Sequence, residues 1–147
     1  ALIGDNSEFS GLPNRVAVVS VGGSTPGAVS VLSPIDDPVA IVASPFDDAA
    51  LVVSGYGNAF YRVLYAKDQP GPPFTVAGKL SYVGAKPQLP SGAVLIDRGT
   101  LKGLVLVAEN VGVRLVRFKG GGEIEDLGLV VKGNGLKAIT GALGVQP

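Results

Sequence analysis

VAIVASPFDDAALVVSGYGNAFYRVLY, residues Val39–Tyr65, returns further along the chain as GAVLIDRGTLKGLVLVAENVGVRLVRF, residues Gly92–Phe118. A shift of 53 positions, from Val39 to Gly92, lays one on the other without a gap. Leu51 then falls on Leu104, Val52 on Val105, Val63 on Val116 and Tyr65 on Phe118. Each copy reads as short apolar runs of strand length separated by turn residues. A repeat of about 50 residues built from strands predicts stacked antiparallel sheets of the kind found in propeller blades.

Working outward, Val16–Val21 and Ala28–Ser33 are strand candidates around the turn cluster GGSTPG, Gly22–Gly27. That cluster lacks the Gly-Lys-Ser/Thr ending of a phosphate loop, so it reads as a hairpin turn. Val39–Ser44, Ala50–Gly55, Ala59–Ala66 and Phe74–Gly84 follow as the strands of one four-stranded unit. Ala93–Arg98, Gly103–Glu109, Val113–Lys119 and Glu123–Val131 make a second, and Leu136–Thr140 begins another. The domain expectation is an arm over 1–15, a partial blade over 16–33, blades over 39–84 and 92–131, the start of a blade at 136–140 and a tail over 141–147. The strands of residues 16–140 would then be blades of a β-propeller, about two and a half of them, with a β-sandwich or jelly roll as the alternative. So few blades cannot close a ring, since about four are needed. The expected partner is therefore another protein chain or the remainder of a cleaved parent.

Composition narrows the function. Hydrophobic residues make up 46% and charged residues 16% of the 147, which excludes a disordered chain. Twenty-two glycines and eleven prolines suit many short strands and turns rather than helices. Twelve basic and twelve acidic side chains cancel, giving no electrostatic footprint for nucleic acid. No apolar run is long enough to cross a bilayer as a helix. The chain has no Cys and no His, so it holds neither a disulfide nor the usual zinc ligands nor a Ser-His-Asp nucleophile of its own. It opens at Ala1 rather than Met. A removed signal peptide fits that opening, and the expected setting is periplasmic, cell-surface or secreted.

The segment DDPVAIVASPFDDAALVVSGYGNAFYRVL, Asp36–Leu64, resembles a blade of the YVTN and lactonase-like seven-bladed propellers. Pro38 stands where those repeats carry a proline before their first strand, Ser44–Pro45 where they turn, and Gly57–Asn58 where they turn again. Phe46-Asp47-Asp48 departs from the usual Asp-Gly, and the second copy has Asp97-Arg98-Gly99 with no proline. The resemblance implies a fold more than an activity. The expected function is a non-enzymatic binding or scaffolding segment. A lactonase-like hydrolytic propeller and a β-sandwich structural protein are the alternatives.

The candidate ligand-binding residues are Asp47, Asp48, Tyr56 and Asn58, all in the turns of the first copy. No cofactor is expected unless Asp36–Asp37 or Asp47–Asp48 holds calcium, which takes carboxylate oxygen. Adjacent carboxylates on extended chain point apart, and Asp is common in turns, so solvated turns are the simpler account. Tyr56, Tyr61, Tyr65 and Tyr82 fit either a ligand groove or cross-strand packing, and packing requires less. Arg62, Arg114 and Arg117 are expected to snorkel outward. Glu123, Glu125 and Asp126 read as a solvated edge. Gly133-x-Gly135-x-x-Ala138 outlines a dinucleotide turn but lacks the helix and distal acidic residue that such a turn needs.

Overall fold

A computed structural model describes residues 1–5, 14–19, 30–66, 68 and 72–133 of the chain. The expectations for Gly22–Gly27, Leu136–Thr140 and the tail lie outside them, as does the dinucleotide outline beyond Gly133. The described residues form eleven strands and no α-helix. These are β1 (Leu2–Asp5), β2 (Arg15–Val18), β3 (Ser30–Leu32), β4 (Pro38–Ala43), β5 (Ala49–Ser54) and β6 (Ala59–Tyr65). β7 (Phe74–Lys79), β8 (Gly92–Leu95), β9 (Leu104–Glu109), β10 (Gly112–Gly120) and β11 (Glu123–Lys132) complete them.

The chain is all-β, and its strands pair into three antiparallel sheets ordered β1-β2-β3, β4-β5-β6-β7 and β8-β9-β10-β11. Every sheet takes its strands in chain order, so each is a simple meander. Within the segment expected to be an arm, Leu2–Asp5 forms a strand on β2, with Ile3 opposite Ala17. The first sheet thus has three described strands rather than two.

The sheets stack in sequence. Val16, Val18 and Leu32 of the first sheet pack on Ala50, Val52, Tyr61 and Val63 of the second. On its other face the second sheet offers Leu51, Val53 and Phe60 to Val105, Val107, Val116 and Phe118 of the third. This explains why β5 reads ALVVS without alternation. Covered on both faces, it is buried along its whole length. β10, covered on one face, keeps the alternation of a half-buried strand.

The repeat survives with two adjustments. Val63 and Val116, aligned in sequence, both face the preceding sheet. Across the hairpins, however, Leu51 opposes Arg62 while Leu104 opposes Arg117 rather than the aligned Leu115. The turn over 44–48 becomes 96–103 in the second copy, and the turn over 55–58 shrinks to 110–111. Between β9 and β10 the pairing slips by two residues, which keeps side-chain facing. Between β8 and β9 it slips by one, Leu95 opposing Val105 where the aligned Val42 opposes Leu51, so β8 turns its faces over relative to β4. The longer turn includes a 3-10 turn at Gly99–Leu101. It ends at Gly103 (φ +91°), where a Cβ would lie 2.4 Å from the Phe46 ring.

Candidate functional site

The four residues singled out in the sequence fall at two places. Asp47 and Asp48 lie in the turn between β4 and β5, Tyr56 and Asn58 in the turn between β5 and β6. The length of β5 separates them, about 20 Å for a strand of this size. They do not form one site.

At the first end, Asp47 accepts a hydrogen bond from the Gly122 N–H through Oδ2 at 2.8 Å, linking the second sheet to the β10–β11 turn of the third. That bond holds its carboxyl below the usual aspartate range; burial opposes the shift, and the Ser44 hydroxyl and Ala49 N–H reinforce it. Asp48 is exposed, and its carbonyl accepts from the Tyr65 N–H at 2.8 Å. A cleft of about 1020 Å³ between the first and second sheets is lined, among the described residues, by Leu2, Val18, Ile41 and Val63. Asp47 and Asp48 also line it, with the Tyr65 and Phe74 rings, whose centroids are 4.9 Å apart.

At the second end, Asn58 takes the left-handed conformation its turn requires (φ 47°). Its Oδ1 accepts from the Leu89 N–H at 2.6 Å and its Nδ2 donates to the Tyr56 carbonyl at 3.2 Å. Tyr56 is 65% exposed. Beside it the Asp pair divides. Asp36 is exposed and accepts from the Ser54 hydroxyl at 3.3 Å, whereas Asp37 is buried and accepts from the Tyr56 N–H. Each carboxylate thus ties the connection before β4 to the end of β5 and the turn after it. Among the described residues there is no group of three or more acidic side chains placed to hold a metal ion.

The other tyrosines pack. Tyr61 is buried with its hydroxyl 3.4 Å from the Pro34 carbonyl, and Tyr82 stands edge-on to Phe60 at 5.8 Å. The Tyr82 hydroxyl accepts the Phe60 N–H at 2.9 Å. Burial pushes that phenol above its ordinary value, with the Phe60 bond opposing.

The largest departure from expectation is Arg114, which does not snorkel outward. It is 2% exposed and lies between Glu109 and Asp126, both with fully buried side chains. Nε donates to Glu109, Nη1 to Asp126 Oδ2 at 2.8 Å and Nη2 to the Ala85 carbonyl at 2.7 Å. The two carboxylates also accept backbone N–H groups from the connection between the sheets. Gln88 donates to Glu109 at 3.0 Å and Val83 to Asp126 at 2.7 Å. The ionic cluster therefore fastens the 80–91 crossover onto the third sheet. Asp126, expected on a solvated edge, belongs to this interior cluster. Strand parity held the missed signal. Arg114 and Arg117 are three apart on one strand and must face opposite ways, and Arg114 shares its face with Val116 and Phe118. Arg117 does face outward, paired with Glu125 at 2.6 Å. Arg62 reaches across to Glu123 at 2.5 Å.

No protein-family model, curated protein or solved structure matches the chain.

Proposed function

We propose that this chain is a three-sheet segment of a β-propeller that acts as a non-enzymatic binding or scaffolding unit and is completed by a further sheet. The observation that carries the reading is the outward face of the third sheet. Leu104, Leu106 and Leu115 lie there, with Val94 in the same row as Leu106 and Leu115. They occupy the facing that Leu51, Val53 and Arg62 hold on the second sheet, and that face is covered by the third. A fourth sheet of the same kind fits this row as the third fits the second. Fully burying each such leucine is worth about 1.5–3 kcal/mol.

Two features of the stacking support blades rather than a sandwich. The first strands of the sheets meet one another, β1 with β4 and β4 with β8, while β3 meets β7 at the other side. Such contacts of inner strand to inner strand and outer to outer are those of sheets arranged about an axis. The meander order is that of blades, while a jelly roll is built from Greek-key connections. The positions of Pro38 at the start of β4, and of Ser44–Pro45 and Gly57–Asn58 in its turns, agree with the resemblance to YVTN repeats.

Leu115→Arg tests the reading. If the face is open for a further sheet, the substitution leaves the chain folded with a cooperative thermal transition. If that face is already covered within the chain, an unpaired charge is buried and the fold is lost at a cost of several kcal/mol, which overturns the proposal.

A further inference from the structure

Among the described residues a second sheet face has no sheet packed on it. On the first sheet, Ile3, Ala17 and Val31 lie in one row across β1, β2 and β3. That row points away from the second sheet, because Val16, Val18 and Leu32 hold the opposite face. Ile3 is 50% exposed and Val31 49% exposed. In both internal junctions a sheet gives its later face to its successor and its earlier face to its predecessor. The free row on the first sheet is an earlier face, and Leu104, Leu106 and Leu115 on the third sheet form a later one. One chain therefore carries the two unlike halves of the junction that it builds twice within itself.

We infer that the free face of the third sheet takes the free face of the first sheet of a second copy of this chain, head to tail. This rests on the propeller reading and names the partner that the reading requires. Two copies bring six sheets together, within the range of about four to eight that close a propeller. A head-to-tail contact of unlike faces closes into a ring when its rotation allows, whereas face-to-face pairing of the third sheets would bury leucine rows and leave both first sheets bare. The internal junctions set the register. Because β4 touches β8 within the chain, β8 of one copy meets β1 of the next, and Val94 lies near Ile3 across the new junction.

The absence of cysteine from the sequence makes the test clean. Ile3→Cys and Val94→Cys chains are prepared separately and treated with a short bismaleimide at micromolar concentration. The expected result is a cross-linked dimer when the two are mixed and none when either is treated alone. The unmodified chain should sediment at twice 14.8 kDa, and Leu115→Arg at the single-chain mass. Cross-linking of Val94→Cys chains to one another would overturn the inference in favour of face-to-face pairing. A folded single chain that tolerates Leu115→Arg overturns the second copy as partner but leaves the open face, and with it the propeller reading. A folded single chain that Leu115→Arg unfolds overturns both.

Discussion

Arg114 and Asp126 meet at 2.8 Å inside the protein, one on β10 and the other on β11, with neither side chain more than 2% exposed. Glu109 completes the cluster, and the crossover between the second and third sheets is tied to it through Val83, Ala85 and Gln88. An apolar replacement of the whole cluster would strand those backbone groups, so the cluster differs from an isolated buried ion pair. Arg114→Met should cost about 3–5 kcal/mol, because it leaves two carboxylates buried without their cation. Urea denaturation checks the value. Adding Glu109→Gln should restore part of the loss by removing one stranded charge, and a further drop would contradict this account.

Asp47 gives the chain an acid-sensitive link between sheets. Its folded carboxyl titrates below the ordinary 3.8, chiefly because it accepts from the Gly122 N–H. A depressed folded pKa contributes stability that is complete above about 3.8 and is lost as pH falls through the lower folded value. Asp47→Asn should lower the thermal midpoint at neutral pH and show a shallower decline below pH 4 than the unmodified chain. Parallel acid titrations that leave the difference between the two unchanged from pH 7 to pH 2 would count against the linkage.

How far these features could be read beforehand follows from what determines each. The strands of the second sheet were legible because β5 and β6 carry long apolar runs between turn residues. Leu2–Asp5 was not, since four residues with a Gly and an Asp have no strand pattern of their own and depend on β2 to pair them. The alignment of the copies kept side-chain facing in β9 and β10 but reversed it in β8, because turns of unequal length moved β9 by two residues along β10 and by one along β8. The candidate site was less legible still. Asp47 and Asn58 both take part in bonds between distant segments, 75 and 31 residues apart in sequence, and composition shows neither partner.

Tyr82 supplies the acceptor for a backbone donor that has no strand to bond. The Phe60 N–H reaches its hydroxyl at 2.9 Å in a half-buried setting. Tyr82→Phe keeps the edge-on ring contact and removes only the oxygen. The expected loss is about 1–3 kcal/mol, the cost of an unpaired buried donor. The phenol also shapes alkaline behaviour. Burial raises its folded pKa above 10.0, so the unfolded chain ionises first and stability falls as pH rises from about 10 towards the folded value. Tyr82→Phe should remove that part of the alkaline slope, as followed by denaturation at pH 9 and pH 11.

Gly103 and Phe46 form the contact that the lengthened turn makes possible. Gly103 has φ +91°, and a methyl group there would come within 2.4 Å of Phe46 Cε2 and 2.8 Å of Cζ. The ring is 48% exposed and carries the Lys102 ammonium 5.3 Å from its centroid, so it has room to move but a contact to lose. Two costs therefore add in Gly103→Ala: backbone strain of about 1–3 kcal/mol and displacement of the ring. Phe46→Ala removes the second and leaves the first. A double-mutant cycle measured by chemical denaturation should then show Gly103→Ala costing less in the Phe46→Ala background, with the remainder still above 1 kcal/mol on the strain estimate. Equal costs in both backgrounds would mean that the ring does not bear on the glycine. A remainder near zero would mean that the backbone, not the ring, is free to adjust.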